Sequence, residues 1–274
     1  KKMSREKQLT FFFLLAYLVC FVLWIPLFLN ALNIISTEST EIFFILGAFG
    51  PMISAFIITF KVNGLSGCKK LVQKIFLLET HYQWFMLAFF IPIAIVSGVL
   101  AVLYILINPG IELSFMGPLD FLLGFFVSLL IVTGEEFGWR GFALPRLQAN
   151  HNALKSSLIL GVLWSFIHFP LFFVQPERAA GVNMLIVLPG FVLLMTFLSI
   201  IITFLYNGSR GNILVPCIFH ASLGISNHLY KSPNHDYDMI AMYLFIIVTF
   251  LFALFITIKY GYKNLAPVTR SVDY

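Results

Sequence analysis

A chain of 274 residues that is 60% apolar and only 11% charged has a mean hydropathy of +0.95. A water-soluble domain needs far more charge to keep its surface wet, so a soluble enzyme of ordinary composition is excluded. The apolar residues run continuously instead of alternating at period two, which excludes a transmembrane β-barrel. The net charge of +5 reads as a topology signal, and no nucleic-acid partner is expected.

The basic start, with Lys1, Lys2, Arg5 and Lys7, leads into an apolar run over 8–32. That run is too long for the core of a signal peptide and is predicted to be an uncleaved first helix. Further apolar runs fall at 42–61, 83–107, 118–145, 154–174, 184–206, 212–229 and 239–260, of which 212–229 is the shortest and weakest. At roughly 20 residues per crossing, the chain is predicted to be an all-α membrane protein with about eight transmembrane helices and short loops. It is predicted to form a single polytopic domain over residues 1–274. With the N-terminus placed in the cytoplasm, fifteen of the seventeen Lys and Arg residues fall on that side, and only Arg178 and Lys231 fall outside. Both termini are therefore expected to be cytoplasmic. The short loops suit a bacterial plasma membrane. Cys20, Cys68 and Cys217 are scattered without metal-type spacing, and no disulfide framework is expected.

Charge at membrane depth is concentrated in one place. Glu135 and Glu136 follow an uncharged stretch from Phe121 to Gly134. A carboxylate in hydrocarbon costs several kcal/mol, so each should face protein or water and have a partner. Arg140 lies one helical turn after Glu136 and is the expected partner, which leaves Glu135 without it. His168 and His220 also lie inside apolar runs. Counted from the cytoplasmic ends of their helices, Glu135, His168 and His220 lie roughly 16, 20 and 12 Å deep, so three helices can deliver them to one level. Gly134, Gly138 and Gly141, about a turn apart, allow a neighbouring helix to come close. Pro145 is expected to end its helix, and Pro170 and Pro216 to kink theirs near the histidines. His81, His151, His228 and His235 lie in loops or at helix ends and are expected to be solvated.

One or two glutamates with two histidines form a water-activating set. A Zn²⁺ held by Glu135, His168 and His220 is one arrangement. The other is metal-independent, with Glu as general base on a water held by His168 and with His220 stabilising the oxyanion when it donates a hydrogen bond. No HExxH, GxSxG, Walker or GxGxxG run offers a different chemistry.

The run Gly134-Glu135-Glu136-Phe137-Gly138-Trp139-Arg140 resembles the first motif, EExxxR, of the CAAX prenyl endopeptidase and bacteriocin-processing (CPBP, or Abi) family. Trp164-x-x-x-His168 is similar to the second motif, with Trp where Phe is more usual. The approach from Asn207 to Pro216, leading into His220, is similar to the third. The resemblance covers about 118–228. It implies an eight-helix intramembrane endopeptidase with a cavity open to the cytoplasm. It also implies Glu135 as water activator, His168 as its partner, His220 at the oxyanion, and Glu136, Arg140 and Trp164 in support. The family has been described both as metalloprotease and as metal-independent glutamate protease. The implied partners are membrane lipid and a hydrophobic or lipid-modified peptide, in peptide maturation or bacteriocin immunity. One departure stands out: Gly224 occupies the position where the family commonly has Asn, which leaves a weaker oxyanion site or a substitute donor from Ser222, backbone or another helix. Asn227, two turns beyond His220, is too far along to serve. The competing readings are a non-catalytic immunity or scaffold protein using the same polar level, and a proton-coupled transporter. The absence of repeated halves counts against the transporter.

Overall fold

The computed structural model describes residues 3–36, 40–77, 79–107, 112–113, 116–174, 184–226, 228, 230–231 and 235–267. Arg178, Asn227 and Arg270 lie outside them. Within lipid every backbone N–H and C=O must be paired inside its own segment, and the apolar runs accordingly fold as helices. They are α1 (Arg5–Ala31), α2 (Thr40–Ala48), α3 (Gly50–Gln73), α4 (Tyr82–Ile107), α5 (Pro118–Glu136), α6 (Leu144–Gln148), α7 (Ala153–His168), α8 (Leu171–Val174), α9 (Met184–Gly208), α10 (Leu214–Ser226) and α11 (His235–Tyr260). Seven spans among the described residues are long and apolar enough to cross a membrane, and α10 is a shorter apolar helix beside them.

α10 nevertheless completes the crossing pattern. At one end of the bundle Arg146 Nε donates to Gln8 Oε1 at 3.0 Å. At the same end the N–H groups of Ala153 and Leu154, in the first turn of α7, donate to the carbonyls of Lys263 and Tyr262, just past α11. The Ile213 N–H, leading into α10, donates to the Lys74 carbonyl. The starts of α1, α7 and α10 and the ends of α3 and α11 therefore gather on one face. Opposite ends of the chain's hairpins meet elsewhere: β1 (Glu112–Leu113), after α4, pairs antiparallel with β2 (Tyr230–Lys231), after α10. The chain thus leaves one face at α10 and returns to it through α11.

Several hydroxyls inside the helices are satisfied within their own helix, although Ser199 Oγ of α9 is buried with no partner among the described residues. Ser54, Thr133, Thr196, Thr203 and Thr249 each donate to the carbonyl four residues back, so they carry no unmet donor into lipid. Close packing uses small residues where hydrophobic burial offers no drive between helices. A Cβ at Gly161 would sit 2.5 Å from Thr196 Cα, which fixes how near α7 lies to α9. The outer surface stays apolar: Leu14 and Leu18 on α1 are 64% and 59% exposed, and Leu130 on α5 is 69% exposed.

The apolar runs and the helices differ in several places. The run at 42–61 is two helices, α2 and α3, with the corner at Phe49 just before Pro51. α3 continues past the run to Gln73 but breaks at Gly64, whose φ of 61° an L side chain rarely adopts. The run at 118–145 continues through a π-helix, Phe137–Ala143, into α6.

Pro145 does not end its helix. It sits at the second residue of α6, where a missing N–H is tolerated. Gly141 lies four residues before it and would have accepted that N–H in an α-helix; its carbonyl accepts from Lys74 Nζ at 3.4 Å instead. Pro216 likewise lies in the first turn of α10, whose entry is fixed by the Leu214 N–H donating to Asn212 Oδ1 at 2.8 Å, so it starts that helix without kinking it. Pro170 stands in the turn between α7 and α8, two residues past His168.

Candidate active site

The segment that carries the acidic pair is held by contact with its neighbours. A Cβ at Gly134 would meet the Ala48 carbonyl oxygen at 2.9 Å, and one at Gly138 would meet Pro51 Cβ at 2.4 Å. The expected close approach therefore occurs against the α2–α3 corner. A Cβ at Gly141 would meet Ile213 and Leu71 at 2.9 and 3.0 Å. The π-helix begins directly after Glu136, and π-turns inside α-helices recur at functional sites.

Glu136 and Arg140 are both fully buried, and Arg140 Nη1 donates to Glu136 Oε1 at 2.8 Å, the pairing that the four-residue spacing predicts. The same oxygen accepts from His220 Nδ1 at 3.0 Å, across 84 residues of sequence. Arg140 also lies over the Trp164 ring, its Cζ 4.5 Å from the centroid. Glu136 Oε2 and Arg140 Nε and Nη2 have no protein partner among the described residues, so this ion pair keeps polar capacity in reserve at membrane depth.

Glu135 is built differently. Its Oε2 accepts two indole N–H groups, from Trp164 at 2.7 Å and from Trp139 at 3.2 Å. These neutral donors satisfy one carboxylate oxygen and leave Oε1 outside that pairing. Glu135 and His168 line the same cavity, together with Cys20 and Trp24 of α1, Pro51 of α3 and Ile167 of α7. The cavity measures about 10 Å³, close to the volume that one water molecule needs. His168 Nδ1 lies 2.9 Å from the Trp164 carbonyl oxygen, which can only accept. Nδ1 therefore carries the proton, and a neutral His168 presents its lone pair at Nε2.

Trp164 is the hub. It bonds Glu135, stacks under Arg140, and packs edge-on against His168 and His220 with centroids 6.3 and 5.3 Å away. Four of the other five residues singled out in the sequence thus contact this indole, and Glu136 joins them through Arg140 and His220. A Phe, usual in the family at this position, would fill the space without donating to Glu135. Trp139 is a contributor that the sequence reading did not single out, although its place four residues after Glu135 is the available signal.

His220 is turned by its Nδ1 toward Glu136, so a neutral ring has a bare Nε2 and only the imidazolium offers an N–H there. Ser222 is not a substitute donor: it is fully buried and gives its hydroxyl to the Phe89 carbonyl of α4 at 2.6 Å. Gly224 faces α5, where a Cβ would meet Ser128 Oγ at 3.1 Å. Among the described residues no three His, Cys, Asp or Glu side chains are placed together to hold a metal ion. Glu136 Oε1 is shared by Arg140 and His220, and Glu135 Oε2 by two indoles.

Comparison with known proteins converges on the same stretch. Residues 117–226 match the family described as Type II CAAX prenyl endopeptidase Rce1-like. The chain is also 28% identical over 230 residues to the CAAX prenyl protease 2 of Methanococcus maripaludis, covering 80% of this chain and 83% of that protein.

Proposed function

We propose that this chain, which matches the Rce1-like CAAX prenyl endopeptidase family over residues 117–226 and resembles a CAAX prenyl protease 2 at 28% identity, is an intramembrane protease in which Glu135 activates water against a hydrophobic or lipid-modified peptide. The observation that carries this reading is the water-sized cavity lined by Glu135 and His168. The water donates one hydrogen bond to His168 Nε2 and one to Glu135 Oε1. As its oxygen attacks the scissile carbonyl, its proton passes to Glu135. The C–N bond then breaks, and Glu135 returns that proton to the leaving nitrogen, which departs as an amine while the new carboxyl end remains. His220, as the imidazolium held by Glu136, faces the oxyanion with Nε2–H. The charge balance supports that state: Glu135, Glu136, Arg140 and a protonated His220 sum to zero.

This course needs no metal. It rests on Glu135 as the base, with Glu135 Oε1 and His168 Nε2 holding the water. The test is turnover of a lipid-anchored peptide by purified protein in liposomes, with and without a zinc chelator, alongside metal analysis. Unchanged turnover in chelator is expected; loss that added Zn²⁺ restores would overturn the direct-base course.

For topology we propose that the face gathering the starts of α1 and α7 and the end of α11 is cytoplasmic, because the basic residues collect there. The proposed setting is a bacterial plasma membrane, in peptide maturation or bacteriocin immunity. The name of the Methanococcus protein, a prenyl protease, supports a lipid-modified substrate.

A further inference from the structure

A second cavity, of about 610 Å³, lies at the start of α1, between it, the part of α3 around the Gly64 break, and α6. Its size is that of a ligand site. Arg5, Lys70, Lys74 and Arg146 line it with the polar side chains of Gln8 and Asn63, and none of its lining residues is acidic. Two of the cations are held in place by neutral acceptors. Arg146 donates to Gln8 Oε1 and to the Phe142 carbonyl and lies over the Phe142 ring at 3.6 Å, and Lys74 donates to the Gly141 carbonyl. Four positive side chains around one half-open space suit an anion, and Arg forks suit phosphate oxygens.

The cavity lies where charged chain passes into lipid-facing surface. Beyond it on α1, Phe11 and Leu14 are exposed, and on α3 so are Ile57 and Phe60. Trp139 lines the water-sized cavity and Gly141 this one, so the two spaces approach each other along the π-helix. Phe12, fully buried between them, is stacked on Phe142 and edge-on to Trp139, which separates the two spaces.

We propose that this cavity binds the phosphate headgroup of an anionic phospholipid, whose acyl chains lie along the apolar surface beyond it. The proposal stands apart from the assignment of the reaction, since it concerns other residues and is read by binding. The test titrates the purified full chain with dihexanoyl phosphatidylglycerol, with dihexanoyl phosphatidylcholine and with inorganic phosphate, following bound lipid by native mass spectrometry and stability by melting. Lys70→Glu is compared with Lys69→Glu, an exposed neighbour that makes the same charge change outside the cavity. Phosphatidylglycerol is expected to bind, Lys70→Glu to weaken it about tenfold, and Lys69→Glu by less than about twofold. Melting of both variants without lipid at the wild-type temperature shows that they are folded. Equal binding of phosphatidylcholine, equal losses in the two variants, or inorganic phosphate binding as tightly as the lipid would each overturn the proposal.

Discussion

Two glutamates one residue apart sit in opposite environments. Glu136 is fully enclosed and held by a guanidinium and an imidazole, both ionic or ionisable partners on a single oxygen. Glu135 is held by two uncharged indole N–H groups and lines a space the size of a water molecule. The difference teaches how a membrane protein divides labour between identical side chains. Full charge pairing makes a carboxylate a structural anchor, because removing its charge strands a buried cation. Neutral donors leave its charge without an ionic partner, which is what the proposed reaction asks of a base.

The sharpest way to break this comparison is to remove each charge in turn. Glu135→Gln is expected to lower turnover of a hydrophobic peptide about 1,000-fold while leaving the melting temperature in detergent nearly unchanged. If the two glutamates exchanged these phenotypes, the division would be wrong. Glu136→Gln is expected to cost about 3 kcal/mol of stability by leaving Arg140 uncompensated, and the double change with Arg140→Gln should recover part of that loss in the same melts. Trp164→Phe, which keeps the ring but removes a donor from Glu135, should lower turnover about tenfold with little change in melting. The smallest effect is expected at Gly224→Asn combined with Ser128→Ala, which makes room for the larger side chain: a gain in turnover of about threefold, with binding of substrate unchanged.

Much of the frame was legible in the sequence because bilayer physics writes it in long runs. All eight apolar runs became helices, and Glu136 found Arg140 at the spacing that a helix dictates. Gly134 and Gly138 marked a close approach before its partner, the corner at Ala48 and Pro51, was known. What stayed hidden needed contacts between distant segments. Nothing near Glu136 points to His220, 84 residues on. Indoles such as Trp139 read as packing until their N–H groups meet an acceptor. The role of Pro145 was misread because a proline marks either end of a helix, and the π-helix before it leaves no trace in hydropathy. Ser222 looked available until the Phe89 carbonyl of a neighbouring helix claimed its hydroxyl.

The brevity of α10 sets how deep its histidine lies. Its 13 residues rise roughly 20 Å, against a hydrocarbon layer of about 30 Å. None of those residues is exposed, so protein and not lipid surrounds this short helix. His220, midway along α10, lies about 10 Å from either end of it. Two turns of helix, far less than a full crossing, part that imidazole from each end of its own segment.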